Sequence, residues 1–275
     1  DIPSPPTGGS GWLGYNPSFL YNGMIHPLTR FPIKGMLWYQ GESNGLPEGK
    51  TTDRDYEAKQ RALVDSWRRA WGQGDLPFYY VQLPGLGWAK GEGWCLVRDA
   101  QRKSMSLTNS GMAVTVDIGD TKDIHPPNKY DVGVRLSRWA LARDYGVKDL
   151  EVSGPLFREM KIEGGKARLL FDHVGAGLMI GTKKGRDPAA EDKAGKLARF
   201  AVAAAAPTSP GGSVGAGQKW VPAEAVIEGN AVVVSAPEVK EPAAVRYAYE
   251  SDPTGANLYN RDGLPASPFR TDDGK

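Results

Sequence analysis

Between Gly35 and Gly146 the chain passes three times from a short apolar run to a helical period, and this alternation constrains the fold more than any other feature. Residues 35–40 read as a strand. Behind a Thr52-Asp53 N-cap, Tyr56, Leu63, Val64, Trp67 and Trp71 recur at helical spacing until Gly72. Residues 77–83, bounded by prolines, form the next strand, and a helix over about 96–107 turns Leu96, Val97, Ala100 and Leu107 inward. A third strand over 112–117 precedes a helix over 128–145, with Val132, Leu136, Trp139 and Ala140 on one stripe. Strands that alternate with helices are joined by crossovers, which predicts a parallel sheet flanked by helices. Sheets average about five or six strands, so three strands predict a sheet that is incomplete on its N-terminal side.

From about residue 150 the pattern changes. Residues 160–171 read as two strands around Gly164-Gly165, and 225–235 repeat the device around Gly229-Asn230. Short strands are expected at 198–204 and 244–249, and loops at 182–196 and 207–217. Residues 1–30 are loop-like, with Pro and Gly breaking any period. The expected class is therefore α/β, a helix-flanked parallel sheet in residues 1–150 followed by an antiparallel, sandwich-like β-rich domain in 151–275.

Lys and Arg number 34 against 32 Asp and Glu, so charge makes no case for a nucleic-acid partner. No apolar run approaches the roughly 20 residues that span a bilayer, so no membrane partner is expected. The single cysteine, Cys95, cannot form an internal disulfide and lacks neighbours at zinc-ligand spacing; it reads as a small apolar residue. No metal or nucleotide cofactor is expected, because neither H-E-x-x-H, a P-loop nor G-x-G-x-x-G occurs in the right context.

Two strand ends carry the candidate chemistry. Gly35-Met-Leu-Trp-Tyr-Gln-Gly-Glu-Ser-Asn44 runs from an apolar strand into a polar turn, and Met112-Ala-Val-Thr-Val-Asp117 leads into Asp120, Asp123 and His125. Ester hydrolysis needs a nucleophile, a base, an orienting acid and oxyanion donors. His125 is the candidate base, Asp123 the orienting acid and Asp120 the second choice; the other role open to His125 is to hydrogen-bond its own loop. His26 and His173 have no comparable acids nearby in sequence and read as structural. Gly41-Glu-Ser-Asn-Gly45 matches G-x-S-x-G, and the order Ser43, Asp123, His125 is that of α/β-hydrolases. A nucleophile elbow needs a helix directly after its serine, however, and Pro47 and Gly49 delay one here. Trp12, Trp88 and Trp94 could stack on sugars or pack over helix ends.

Tyr21-Asn-Gly-Met-Ile-His-Pro-Leu28, the 35–44 block, Asp117-Ile-Gly-Asp-Thr-Lys-Asp-Ile-His-Pro126 and Asn257-Leu-Tyr-Asn-Arg-Asp-Gly-Leu-Pro-Ala-Ser-Pro-Phe-Arg-Thr-Asp272 together resemble the sialate O-acetylesterase family of SGNH hydrolases. The resemblance implies an SGNH-type three-layer sheet and a carboxylic ester hydrolase whose nucleophilic serine lies in an upstream Gly-Gln-Ser-Asn block. No such block occurs in residues 1–275. By resemblance, then, the chain supplies the base and acid, His125 and Asp123. Gln40 and Gly41 become oxyanion donors, Glu42 and Asn44 shape the site, and Ser43 becomes a neighbour. A companion chain carrying the serine is expected, since a bare sheet edge invites aggregation; a lost front segment is the other explanation. The implied substrate is an acetylated sugar, O-acetylated sialic acid first and acetylated xylan next, in an extracytoplasmic setting, periplasmic or secreted. A non-catalytic glycan-binding or scaffold remnant, and a self-contained esterase using Ser43, are the alternatives.

Overall fold

The computed structural model describes residues 18–46, 55–205 and 218–272. Strands β1 (Met36–Trp38), β2 (Phe78–Val81) and β3 (Ser110–Ala113) form a parallel sheet in the order β1-β2-β3. Connecting them are a single turn, α1 (Glu42–Gly45), and the helices α2 (Tyr56–Trp71) and α3 (Gly93–Lys103); α4 (Lys129–Arg143) follows β3. All four residues of β2 are buried, as expected of a central parallel strand covered on both faces. Its alternation sorts the layers. Phe78 and Tyr80 pack with Val64 and Trp67 of α2, whereas Tyr79 and Val81 pack with Val132, Leu136 and Trp139 of α4. The result is the expected three-layer arrangement.

The helix ends follow local chemistry. Gly72, in the left-handed region at φ 63°, ends α2. Asn128 caps α4 by accepting the Asp131 N–H. The Thr52-Asp53 cap and the Pro47 and Gly49 positions lie outside the described residues. α3 starts at Gly93 rather than near 96 and leaves Leu96 half-buried, because the helix is enclosed on more than one side. Buried Arg98, for example, donates to the Glu250 carbonyl in the β-rich half. β3 lies two residues earlier than expected: pairing ends at Ala113, beyond which the Thr115 hydroxyl donates to the Gln82 carbonyl at 2.5 Å. Tyr21–Ile25 and His26–Leu28 form helical turns where loop was expected, since the Pro- and Gly-dense stretch ends before them.

The second half holds β4 (Leu156–Glu163), β5 (Lys166–Asp172), β6 (Leu178–Thr182), β7 (Ala190–Glu191), β8 (Phe200–Ala204), β9 (Val221–Pro222), β10 (Glu224–Glu228), β11 (Ala231–Ser235), β12 (Pro242–Tyr247), β13 (Leu258–Asn260) and β14 (Phe269–Arg270). Two four-stranded antiparallel sheets, β10-β11-β5-β4 and β14-β12-β8-β9, share one core of Leu169, Phe171, Val232 and Val234 with Val202, Val245, Tyr247 and Phe269. The Gly164-Gly165 and Gly229-Asn230 turns fall where expected, each glycine at positive φ. β7 interrupts the expected 182–196 loop by pairing with β6, and Pro207 to Gly217 lies outside the described residues. Among the described residues no helix is long and apolar enough to cross a membrane.

Candidate active site

The loop leaving β1 is built around one glycine. Gly41 is buried with φ 145°, and a Cβ there would come within 3.0 Å of Val97 Cγ1 and 3.3 Å of the Tyr56 hydroxyl. The preceding carbonyl, of Gln40, accepts the Tyr56 hydroxyl at 2.9 Å and Gln101 Nε2 at 3.1 Å. Tyr56 also donates to Gln40 Oε1 at 3.1 Å, and Gln40 Nε2 donates to Asn44 Oδ1 at 2.8 Å. The Gln40 side chain is thereby fixed at both ends, with one amide hydrogen left over. Among the described residues the Gly41 N–H has no acceptor. Burial pushes the Tyr56 hydroxyl up to about 12, so it stays a donor at ordinary pH. Neither Tyr56 nor Gln101 stood out in the sequence. Tyr56 read as one more apolar helix position, and the only hint of Gln101 is a polar residue on a helix that proves buried nearly all round.

The loop after β3 is organised by aspartates. Asp120 Oδ1 accepts the Lys122 N–H at 2.8 Å and the Asp123 N–H at 3.3 Å, and Asp123 Oδ1 accepts the His125 N–H at 2.8 Å. His125 Nδ1 lies 3.6 Å from Asp123 Oδ1, with side chains 85% and 60% exposed. Asp123, rather than Asp120, is thus the carboxylate beside the imidazole. The separation exceeds a hydrogen bond. Asp117 is a structural anchor: it is bidentate to buried Arg135 at 2.6 and 2.7 Å and accepts the Tyr259 hydroxyl at 3.1 Å. Burial pulls the Arg135 guanidinium down, but the Asp117 charge and hydrogen bonds outweigh it and leave it raised.

The two loops rest on one apolar cluster. Ile124, next to His125, and Leu46, next to the Glu42–Gly45 turn, pack on one cluster with Tyr56, Leu83 and Trp94. Glu42 and Asn44 are half-buried in that turn. That helical turn starts at Glu42, one residue before exposed Ser43, and lasts only four residues; the next helix among the described residues, α2, starts at Tyr56. No helix of ordinary length begins behind that serine, because the turn ends at Gly45, seated against Trp94.

The other candidates separate. Trp94 is fully buried and donates to the Pro84 carbonyl at 2.7 Å, so it cannot stack on a sugar; Trp88 is 48% exposed, and Trp12 lies outside the described residues. Cys95 is buried, as expected. His173 does have an acid, because the fold brings Glu151 to 2.8 Å from its Nδ1 and stands the Trp139 ring edge-on against it. His26 is exposed in its turn. Among the described residues no group of three or more His, Cys, Asp or Glu could hold a metal ion.

Residues 7–140 match the family described as "SASA: Carbohydrate esterase, sialic acid-specific acetylesterase". The chain is 34% identical over 177 residues to sialate O-acetylesterase of Mus musculus, covering 56% of this chain and 32% of the mouse protein. Identity to sialate O-acetylesterase of Homo sapiens is 32% over 176 residues, covering 55% and 32%. The crystal structure of XAC1771, a novel carbohydrate acetylesterase from Xanthomonas citri, matches with a TM-score of 0.78 and 42% identity, covering 92% of this chain and 54% of that one. The chain thus spans about a third of the length of the mammalian relatives and about half of the XAC1771 chain.

Proposed function

We infer that this chain belongs to the sialic acid-specific acetylesterase family of carbohydrate esterases, and that it supplies the base, the orienting acid and the oxyanion donors of a carbohydrate O-acetylesterase. The observation that carries the reading is the pairing of the two strand-end loops. A turn with an unspent Gly41 N–H and a pinned Gln40 amide shares one apolar footing with a loop presenting His125 beside Asp123.

In this mechanism a serine hydroxyl attacks the acetyl carbonyl while His125, oriented by Asp123, takes its proton. The oxyanion accepts from the Gly41 N–H and the remaining Gln40 amide hydrogen. His125 then protonates the departing sugar oxygen. Water, deprotonated by the same imidazole, cleaves the acetyl-serine and releases acetate. Glu42 and Asn44 hold the turn that carries the donors.

The serine comes from sequence outside residues 1–275, seated against β1. Three features support this. Among the described residues β1 is an edge strand paired only with β2, and Leu37 on it is 67% exposed. Leu20, Met24, Leu28 and Phe31 are 51–66% exposed just before it. His125, at 85% exposure, needs a neighbour to exclude water. The family likeness favours an acetylated sugar as substrate, sialic acid or xylan, and an extracytoplasmic setting.

The test labels the full-length protein with a fluorophosphonate and locates the adduct by peptide mass spectrometry, alongside acetate release by His125→Ala. The reading expects an adduct on a serine outside residues 1–275 and a fall in kcat of about 10²–10⁴-fold for the variant. An adduct on Ser43 would replace the reading with a self-contained site, and undiminished turnover by His125→Ala would end it.

A further inference from the structure

A cleft of about 480 Å³ opens between the catalytic loop and the β-rich half, lined in part by Asp117, Thr121, Lys183, Asp252, Asn257 and Tyr259. Its walls are preformed. The loop after β2 is stitched to both neighbours, with the Leu86 N–H donating to the Ser251 carbonyl and the Gly87 N–H to the Thr121 carbonyl, each at 2.9 Å. The 250–254 segment is gripped from two sides: Arg98 of α3 donates to the Glu250 carbonyl, and Arg199 beside β8 donates to the Thr254 carbonyl at 2.8 Å through Nε.

Most polar groups in the cleft are already spent. Asp117 is held by Arg135 and Tyr259. Asn257 donates to the Lys196 carbonyl and accepts the Ala198 N–H. The three ammonium protons of Lys183 are matched by Asp131 at 2.7 Å and the Gly185 and Asp187 carbonyls at 2.9 and 2.7 Å. What remains is the exposed Thr121 hydroxyl and half-buried Asp252. Asp252 accepts the Thr254 hydroxyl on Oδ1 at 2.7 Å, and no described residue hydrogen-bonds its Oδ2.

A fixed cleft that offers a carboxylate oxygen and a hydroxyl, and whose one lining cation among the described residues, Lys183, is already paired, suits sugar hydroxyls and opposes an anionic sugar. We propose that this cleft is a glycan subsite for an uncharged sugar residue next to the acetylated one, with Asp252 accepting its hydroxyls and Thr121 assisting. The subsite rests on the esterase reading for its purpose. It also assigns the β-rich half a share in substrate choice, since Asp252 follows β12 and Thr121 lies four residues before His125.

The test titrates xylohexaose and free N-acetylneuraminic acid into the full-length protein by calorimetry, for wild type, Asp252→Asn and Thr121→Val. Asp252→Asn keeps the side-chain shape and the Thr254 contact. Losing a charged acceptor costs about tenfold or more in affinity. The proposal therefore expects xylohexaose to bind, Asp252→Asn to weaken it about tenfold or more, Thr121→Val to weaken it less, and the sialic acid to bind more weakly than xylohexaose. In turnover, the ratio of kcat/KM for acetylated xylo-oligosaccharide to that for 4-nitrophenyl acetate falls by a similar factor in Asp252→Asn. Xylohexaose affinity equal in wild type and Asp252→Asn, or stronger binding of the sialic acid, overturns the subsite. If no variant or wild type releases acetate while Asp252→Asn still loses xylohexaose, the esterase reading fails and the subsite stands.

Discussion

Tyr56 positions the oxyanion side of the candidate site more than any residue that stood out in the sequence. Its hydroxyl is shared between the carbonyl and the side-chain oxygen of Gln40, and it remains neutral because burial pushes it up to about 12. In Tyr56→Phe the Gln40 carbonyl keeps Gln101, but Oε1 loses its donor. We expect a loss of about 1 kcal/mol in urea unfolding, with kcat falling more than KM rises, because the Gly41 N–H is displaced without touching ground-state binding. A variant with normal kcat would show that Tyr56 supports only the fold. At this scale the polar turn at Gln40 and Gly41 was legible from the abrupt end of an apolar run, but their donor role came only from the family resemblance; His125 and Asp123 stood out as candidates from their spacing. Tyr56, Gln101 and the Glu151 partner of His173 were not, because each acts on residues at least sixteen positions away.

At the scale of elements, two glycines at positive φ bear different loads. Gly72 ends α2 at φ 63° with nothing within 4 Å of the place a Cβ would occupy, whereas Gly41 combines φ 145° with Val97 at 3.0 Å. Gly72→Ala incurs only backbone strain, about 1 kcal/mol. Gly41→Ala adds overpacking of about 1–3 kcal/mol and moves the turn that carries Gln40 and Glu42. Thermal melts should rank Gly41→Ala below Gly72→Ala, and only the former should lose esterase turnover; equal melting temperatures would show that α3 yields at Val97. The helices α2, α3 and α4 were legible because a period of 3.6 persists over about three to four turns. β6, β13 and β14 were missed because they are two to five residues long, too short for alternation to register, and each is defined by a partner far along the chain. The early end of β3 follows from the Thr115 hydroxyl turning to Gln82, a contact between elements that a local pattern does not contain.

At the scale of the whole molecule, Asp272 anchors the end of the described chain. It is buried and receives Arg246 Nη2 at 2.6 Å and Arg270 Nη2 at 2.5 Å. Burial alone would raise its carboxyl, but the hydrogen bonds and charges of the two arginines prevail and hold it below the usual carboxylate range. A depressed folded-state value stabilises the protein above the unfolded value, near pH 4, and the stabilisation is lost as pH falls through the folded one. Asp272→Asn should therefore cost about 1–3 kcal/mol at pH 7, where it removes the charged acceptor shared by two half-buried guanidinium groups. The difference from wild type should narrow as denaturation is repeated at progressively lower pH below 4; a constant gap would remove Asp272 from the acid response. By itself the sequence determined the three strand–helix alternations, the change to β-hairpins near residue 150 and the two strand ends bearing polar groups, because these follow from local period, turn chemistry and abrupt changes of polarity. Only the tertiary structure decided that Ile124 and Leu46 share a footing, that Asp117 is bound to Arg135 and Tyr259 rather than available, and that a cleft opens beside Asp252. Those outcomes depend on which distant side chains meet when helices and sheets pack, and that is set by the summed burial of the whole chain rather than by any stretch of it.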